Sequence, residues 1–399
     1  MFLSKRMLGY GQESSVIREI FEYGLKRKQQ IGDENVFDFS IGNPNIPTHK
    51  QVTEKIKELV NTIPPEKLHG YTSGPGAPTT KKAIANYLNK TFSCDAKSDL
   101  IYITSGAAAA LAITFKAFLN EDDEVITFAP FFPDYKVFVE STNAKLIALK
   151  TQPENFLPDF DLLEKAINPK TKIVLINSPN NPTGVIYSEK TIQKLAELLK
   201  KKENEYGHPI FLVSDEPYRE ISYGKDVPFV THYYKNSIVI YSFSKSLSLA
   251  GERIGYILVS TKAKNADMVY KTICGAGRAL GYVCASSMFQ RVIEDCIGLT
   301  SDFSIYEKNR NLLYEHLIKI GFNCVYPDGA FYLFMESPIA DAEEFCEKAR
   351  DFELYFVPSN SFGHPGFVRI GYCVSTDQIE KSLDSFTKLA NYYQLSEIT

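Results

Sequence analysis

Five short apolar runs, at residues 100–104, 124–128, 172–176, 210–214 and 237–241, recur between segments long enough to form helices. Each has the length of a strand and each ends in small, polar or turn-forming residues, so the alternation through residues 95–260 predicts strand, turn and helix in repetition. Strands joined through helices run parallel, because the helix carries the chain back to the edge where the previous strand began. The pattern therefore predicts an α/β domain with a mostly parallel sheet. Ligand chemistry in such sheets gathers at the C-terminal ends of the strands.

The run at 237–241 opens onto Ser242, Ser244, Lys245, Ser246 and Ser248, and Arg253 follows eight positions after the lysine. One amine among hydroxyls suits an aldehyde that also carries a phosphate: the amine can form a Schiff base while hydroxyls and guanidinium hold the anion. The same residues also describe a serine-rich surface loop with a solvated lysine. Asp215 ends the run at 210–214, with Tyr218 three residues on. A carboxylate there is costly without a partner, and a protonated pyridine nitrogen would serve, as would a helix N-terminus to cap.

The run at 172–176 leads into Asn177-Ser178-Pro179-Asn180-Asn181-Pro182-Thr183-Gly184. Asn181 before proline is pushed towards an extended conformation, which holds its amide in a defined direction. Ser105, Gly106 and Ala107 lead from the first run into an apolar helix, whose unpaired N–H groups and dipole favour an anion; small residues are also ordinary at a tight strand-helix turn. Phe131 and Phe132 follow the run at 124–128 and can serve either the core or a flat ring.

Upstream, residues 14–28 read as a helix, 36–40 as a short strand, and Gly42 sits in a turn-rich hinge. Residues 48–70 read as helical up to a break at Pro64-Pro65, before a glycine-rich loop centred on Tyr71. The stretch from Gly74 to Lys82 does not satisfy G-x-x-x-x-G-K-[ST], which excludes a P-loop. Beyond Lys245 the pattern turns helical and reaches the stretch 274–282, which carries Arg278; from about 287, amphipathic helices alternate with short strands at 329–334, 354–358 and 366–372. The last carries Arg369 among apolar neighbours, where its fork calls for a carboxylate, internal or from a substrate.

In the order Gly42, Tyr71, Ser105-Gly106-Ala107, Phe132, Asn181, Asp215, Tyr218, Ser242, Lys245, Arg253, Arg369, the chain resembles the class I aminotransferases, of aspartate-aminotransferase-like fold (fold type I). The resemblance covers nearly the whole chain. It implies a large domain at 48–286 with a seven-stranded, mostly parallel sheet flanked by helices. It also implies a smaller α+β domain made from the N-terminal segment 1–47 and the C-terminal part 287–399. The implied cofactor is pyridoxal 5'-phosphate, held by Lys245 as an internal aldimine. Asp215 would partner the pyridine nitrogen, Asn181 and Tyr218 the phenolic oxygen, and Phe132 the ring face. Phosphate contacts would come from Ser105, Gly106, Ala107, Ser242, Arg253 and, across a homodimer interface, Tyr71. Arg369, with Asn181 and Gly42, would take the substrate α-carboxylate.

The implied reaction is transamination between an L-amino acid, aspartate or another common one, and a 2-oxo acid such as 2-oxoglutarate. Some bacterial aspartate enzymes carry a lysine for the distal carboxylate where this chain has Ala108, and Arg278 is the alternative cation. A carbon-sulfur β-lyase on the same fold is a rival reading, but those relatives follow their Asn-Pro turn with a tryptophan, and this chain contains none. A non-catalytic regulatory module would need a basic DNA-binding domain, for which residues 1–40 are too short.

The 399 residues, 44% of them apolar, suffice for two or three domains with a large core. A formal charge of −4 lacks the basic excess that nucleic-acid or anionic-membrane surfaces need. No window approaches the roughly 18 apolar residues of a membrane span, and the expected location is the cytoplasm. The seven cysteines form no C-x-x-C pair and the six histidines no metal-binding pair, so reduced thiols and no metal are expected.

Overall fold

The computed structural model describes residues 2–12 and 16–396. Its strands are β1 (Phe37–Asp38), β2 (Ile101–Thr104), β3 (Glu124–Ala129), β4 (Lys145–Lys150), β5 (Thr171–Asn177), β6 (Phe211–Asp215), β7 (Ser237–Ser242) and β8 (Gly255–Val259). These are followed by β9 (Cys324–Val325), β10 (Tyr332–Glu336), β11 (Leu354–Tyr355), β12 (Val357–Pro358) and β13 (Phe367–Gly371). The central sheet has seven strands in the order β2-β8-β7-β6-β5-β3-β4. β8 alone is antiparallel to its neighbours, and the sheet is otherwise parallel.

Helices cover both faces of this sheet, which is why its strands read as apolar throughout rather than alternating with polar residues. Side chains still alternate between the faces. Ile103, Val174, Ile176, Leu212 and Val239 enter one core, while Tyr102, Ile173, Leu175, Val213 and Ile240 enter the other.

The five predicted runs omit β4 and β8. β4 is an edge strand whose lysines stay exposed, so its sequence lacks the continuous apolar signal. The segment after Lys245, predicted helical, returns as β8: Tyr256 and Leu258 face one core and Ile257 and Val259 the other, a period of two rather than 3.6. The N-terminal helix spans Val16–Ile31, and Ser14 lies outside the described residues. The strand expected at 36–40 shortens to β1, which pairs in parallel with β11.

Apart from the first core, which flanks the central sheet on both faces, a second core joins Phe37, Phe39 and Ile46 to Tyr306, Leu313, Phe322, Phe345 and Phe386 from the C-terminal part. Its sheet runs antiparallel in the order β12-β13-β10-β9. The chain passes between cores later than residue 287. The helix Ser287–Cys296 buries Phe289, Val292, Ile293 and Cys296 in the first core, against the helices Lys50–Thr62 and Pro78–Phe92. Its amphipathic pattern announces a buried face without naming the core that receives it. No helix among the described residues is long and apolar enough to cross a membrane, and all seven cysteines are free.

Strand register brings the tips together. Asn177 stands opposite Asp215 across β5 and β6, and Gly255 lies between Thr104 and Ser242. The second core docks close to these tips through Gly184. At φ +74° it occupies the left-handed region, and a Cβ there would sit 2.4 Å from Cβ of Pro327. Gly184→Ala is expected to cost about 1–3 kcal/mol, through strained backbone and a displaced Pro327 loop. Urea unfolding checks this; an unchanged midpoint would refute it.

Candidate active site

Two adjacent acids end β6, and their surroundings give them different fates. Glu216 is fully buried and ion-paired to Arg219, whose guanidinium lies over the rings of Phe92 (5.1 Å) and Phe229 (5.0 Å). That charge is spent internally. Asp215 has no cationic partner among the described residues. Its Oδ2 accepts a hydrogen bond from Tyr135 Oη at 2.6 Å, and its Oδ1, equally buried, has no partner. Burial pushes this carboxyl up to about 7 against the hydrogen bond from Tyr135, and the neighbouring Glu216 adds to the rise. A buried oxygen of this kind marks the place of an absent donor. Asp215 caps no helix; a turn follows it.

Asp215 lines a cavity of about 280 Å³ together with Lys245, Asn181, Tyr218, Ser242, Arg253 and Arg369. Gly42, Ala107 and Phe132 also reach its wall. Lys245 is partly exposed to this space and donates from Nζ to the Gly42 carbonyl at 2.5 Å. Burial, opposed by Cys373 and aided by Arg369 and Arg253, lowers its amine to about 8.

The anion-holding features form one corner. Ser105 precedes the helix Gly106–Phe118 without capping it through its side chain, which leaves the first N–H groups of the helix available. Ser105 and Gly106 stand off the cavity wall itself. Gly106, at φ +82°, lies so close to Arg253 that a Cβ would approach Nη2 to 2.8 Å. Arg253 is exposed and donates from Nη1 to the Ala250 carbonyl at 3.0 Å. Ser242 Oγ accepts from the Ser244 amide at 3.2 Å.

Arg369 is 2% exposed and makes no ion pair among the described residues, so the internal carboxylate considered for it is absent. Nη1 donates to Asn181 Oδ1 at 3.1 Å, Nη2 to the Ser40 carbonyl at 2.5 Å, and Nε has no partner. A guanidinium only donates, so the Asn181 oxygen faces Arg369 and its amide nitrogen is left for another acceptor. Asn177 braces the turn: its Oδ1 accepts from the Asn181 amide at 2.7 Å and its Nδ2 donates to the Asp215 carbonyl at 2.9 Å.

Two predicted residues lie elsewhere. Tyr71 is 99% exposed, on a loop held by Gln290, which accepts from the Ala77 amide at 2.7 Å and donates to Thr72 Oγ1 at 3.2 Å. Arg278 is exposed on the helix Ala266–Leu280, away from the cavity of its own chain. Sequence reasoning assigned no role to Tyr135, Asn177 or Tyr332. Tyr135 could have been found, since it follows Phe132 by three residues at the opening of a helix. Tyr332 joins the cavity from the second core, and no local spacing announces that.

An amine of lowered pKa, an orphaned carboxylate oxygen, a helix N-terminus beside an arginine and a buried unpaired guanidinium thus share one cavity. This donor set fits a phosphorylated pyridine aldehyde together with a substrate carboxylate. Comparison with known proteins agrees. The family model for aminotransferase class I and II matches residues 34–386. A crystal structure of an amino transferase from Eubacterium rectale is 51% identical, with a TM-score of 0.96 over 98% of this chain and 99% of that one. The aspartate aminotransferase of Thermotoga maritima is 29% identical over 94% of this chain and 97% of its own length. A probable N-acetyl-LL-diaminopimelate aminotransferase of Bacillus subtilis is 30% identical, covering 92% and 93%. The chain belongs to the class I and II aminotransferases, and is a transaminase dependent on pyridoxal 5'-phosphate.

Proposed function

We propose that this transaminase attaches pyridoxal 5'-phosphate through Lys245 and transfers the amino group of an L-amino acid, aspartate foremost, to a 2-oxo acid such as 2-oxoglutarate. The observation that carries the reading is the orphaned Oδ1 of Asp215 in the cavity that also holds the Lys245 amine. When bound, the cofactor withdraws electrons from the substrate Cα through its protonated ring.

The chain's own residues do the rest. Asp215 Oδ1 takes the pyridine N–H and keeps the ring protonated. Asn181, through its free amide nitrogen, and Tyr218 donate to the phenolic oxygen, and Phe132 lies against the ring. The N–H groups opening the helix at Ser105, Gly106 and Ala107, the Ser242 hydroxyl and Arg253 hold the phosphate. Arg369, with a free Nε, pairs the substrate α-carboxylate beside Asn181 and Gly42. Lys245, displaced by the amino acid, would be the base that takes the proton from Cα. The N-terminal segment and the C-terminal part close over the substrate and exclude water.

We read the working form as a cytoplasmic homodimer. Supporting this is Tyr71, a fully exposed aromatic on an anchored loop, which suits coverage by a second copy whose phosphate site it would complete. The cations at the cavity wall are Lys245, Arg253 and Arg369, each with a role above, and Ala108, Leu111, Ile17 and Ile41 also line it. A distal substrate carboxylate would need a further cation, and Arg278 of a second copy is our candidate.

With L-aspartate, the lysine-dependent absorbance band of the holoenzyme is expected to bleach and to return with 2-oxoglutarate; a band identical in Lys245→Ala would refute the attachment. Cofactor uptake by the apoenzyme requires the neutral amine, so its rate is expected to rise about tenfold per pH unit and level off above about 8. A rise continuing past pH 10 would show an ordinary lysine. Arg278→Ala is expected to lower the aspartate-to-alanine ratio of kcat/KM about ten- to a hundredfold. An unchanged ratio removes Arg278 from substrate reading.

A further inference from the structure

Tyr332 reaches the cavity from β10, the strand beside the one that carries Arg369. Its hydroxyl lies 3.1 Å from the hydroxyl of Tyr218, and both side chains are buried. The ring is fixed on several sides. It packs against Phe331 (4.9 Å between centroids), meets Tyr218 edge-on (5.7 Å), and has the Arg369 guanidinium over it at 4.6 Å. Gly42 gives the hydroxyl its room: a Cβ on that residue would stand 1.8 Å from Tyr332 Oη. The glycine in the hinge therefore serves a phenol contributed by the second core.

We propose that Tyr332 is a positioning residue that donates its hydroxyl proton to Tyr218 Oη and thereby turns the Tyr218 proton towards the cofactor's phenolic oxygen. The inference rests on the reading above in which Tyr218 contacts that oxygen. Two hydroxyls at this distance share one proton between them, and the more acidic of the two donates. Arg369 draws both phenols towards acidity against their burial, but its guanidinium lies directly over the Tyr332 ring at 4.6 Å, which leaves Tyr332 at about 12 while burial holds Tyr218 well above the ordinary range. Besides Arg369, which acts on both, the ionisable groups acting on this pair are Asp215 on Tyr218 and Cys373 on Tyr332, with Lys245 in the same cavity. Once Tyr218 accepts from Tyr332, its own O–H is free for a third atom, and the oxygen it would meet is the cofactor's. Tyr218, three residues past the end of β6, and Tyr332, on β10, pack in the same second core, so the pair also ties cofactor electronics to the seating of that core against the tip of β6.

The test is a spectrophotometric pH titration of the lysine-linked chromophore in the holoenzyme. A hydrogen bond donated to the phenolate lowers its hold on the proton of the lysine-linked nitrogen, so weakening that bond raises the titration midpoint. Tyr332→Phe, which removes one oxygen and keeps the ring, is expected to raise the midpoint by about half a unit to one unit. KM for the amino acid is expected to hold, since Arg369 keeps the ring beneath it. Tyr218→Phe should shift the midpoint further, and adding Tyr332→Phe to Tyr218→Phe should shift it no more, because Tyr332 acts only through Tyr218. A midpoint unchanged in Tyr332→Phe while Tyr218→Phe shifts it overturns the inference alone. An unchanged midpoint in Tyr218→Phe overturns the contact on which the inference stands, and a wild-type spectrum matching Lys245→Ala overturns the attachment itself.

Discussion

Asp215 takes a carboxylate out of water at the tip of β6, and much of the site is arranged around that cost. One oxygen is compensated by Tyr135 and the other is left open. The neighbouring Glu216 is held in check by Arg219, between two phenylalanine rings, so that only one of the two acids faces the cavity. Glu216 still adds to the rise of the Asp215 carboxyl, but with its own charge met by Arg219 it leaves Asp215 as the acid that can become a counter-charge to a cationic N–H at the open oxygen. Asn177 then carries the constraint sideways, since its single amide ties the Asp215 backbone to that of Asn181 and so fixes the two groups relative to each other.

The same economy governs Arg369. A guanidinium buried without a carboxylate is expensive, and here it is supported by two carbonyl oxygens and two aromatic faces rather than by a charge. Those contacts orient it without neutralising it. The second core thus delivers an intact positive charge, together with a phenol, to a surface prepared by the first. Gly184 lets the two approach, since a Cβ there would stand 2.4 Å from Cβ of Pro327.

That Lys245, Asp215 and Asn181 would meet in one cavity was legible in the sequence for one physical reason. In a parallel sheet the end of an apolar run is also the place where ligands bind, so local pattern and function coincide there. Arg369 could be flagged because a charge inside an apolar strand is anomalous, but its partners, an amide and a backbone carbonyl from distant segments, could not. Tyr332 and Gly42 stand almost three hundred residues apart, and nothing in either neighbourhood reports that one needs the other to be small. β8 was misread because five residues bounded by a turn hold too little periodicity to separate strand from helix, and its place between β2 and β7 is set by the sheet. The helix Ser287–Cys296 shows the complementary limit: its buried face was readable, while the core that buries it was not.

Charge decides what such a cavity can attract. Arg253 and Arg369 bring two guanidinium charges, and Lys245 near 8 adds a charge that it can surrender. Against them stands one carboxyl near 7. The excess of positive charge is complementary to a phosphate monoester, which carries about two negative charges, and to one carboxylate. Filling the phosphate corner first changes the account for Lys245, because it offsets Arg253, one of the two guanidinium charges that depress its pKa. A bound phosphate therefore pushes the amine back towards protonation, and covalent attachment to the aldehyde is what keeps it from being stranded as an ammonium. On this argument the phosphate corner and the lysine work against each other unless both are engaged by the same molecule, which favours one ligand carrying both an aldehyde and a phosphate over two that carry one each.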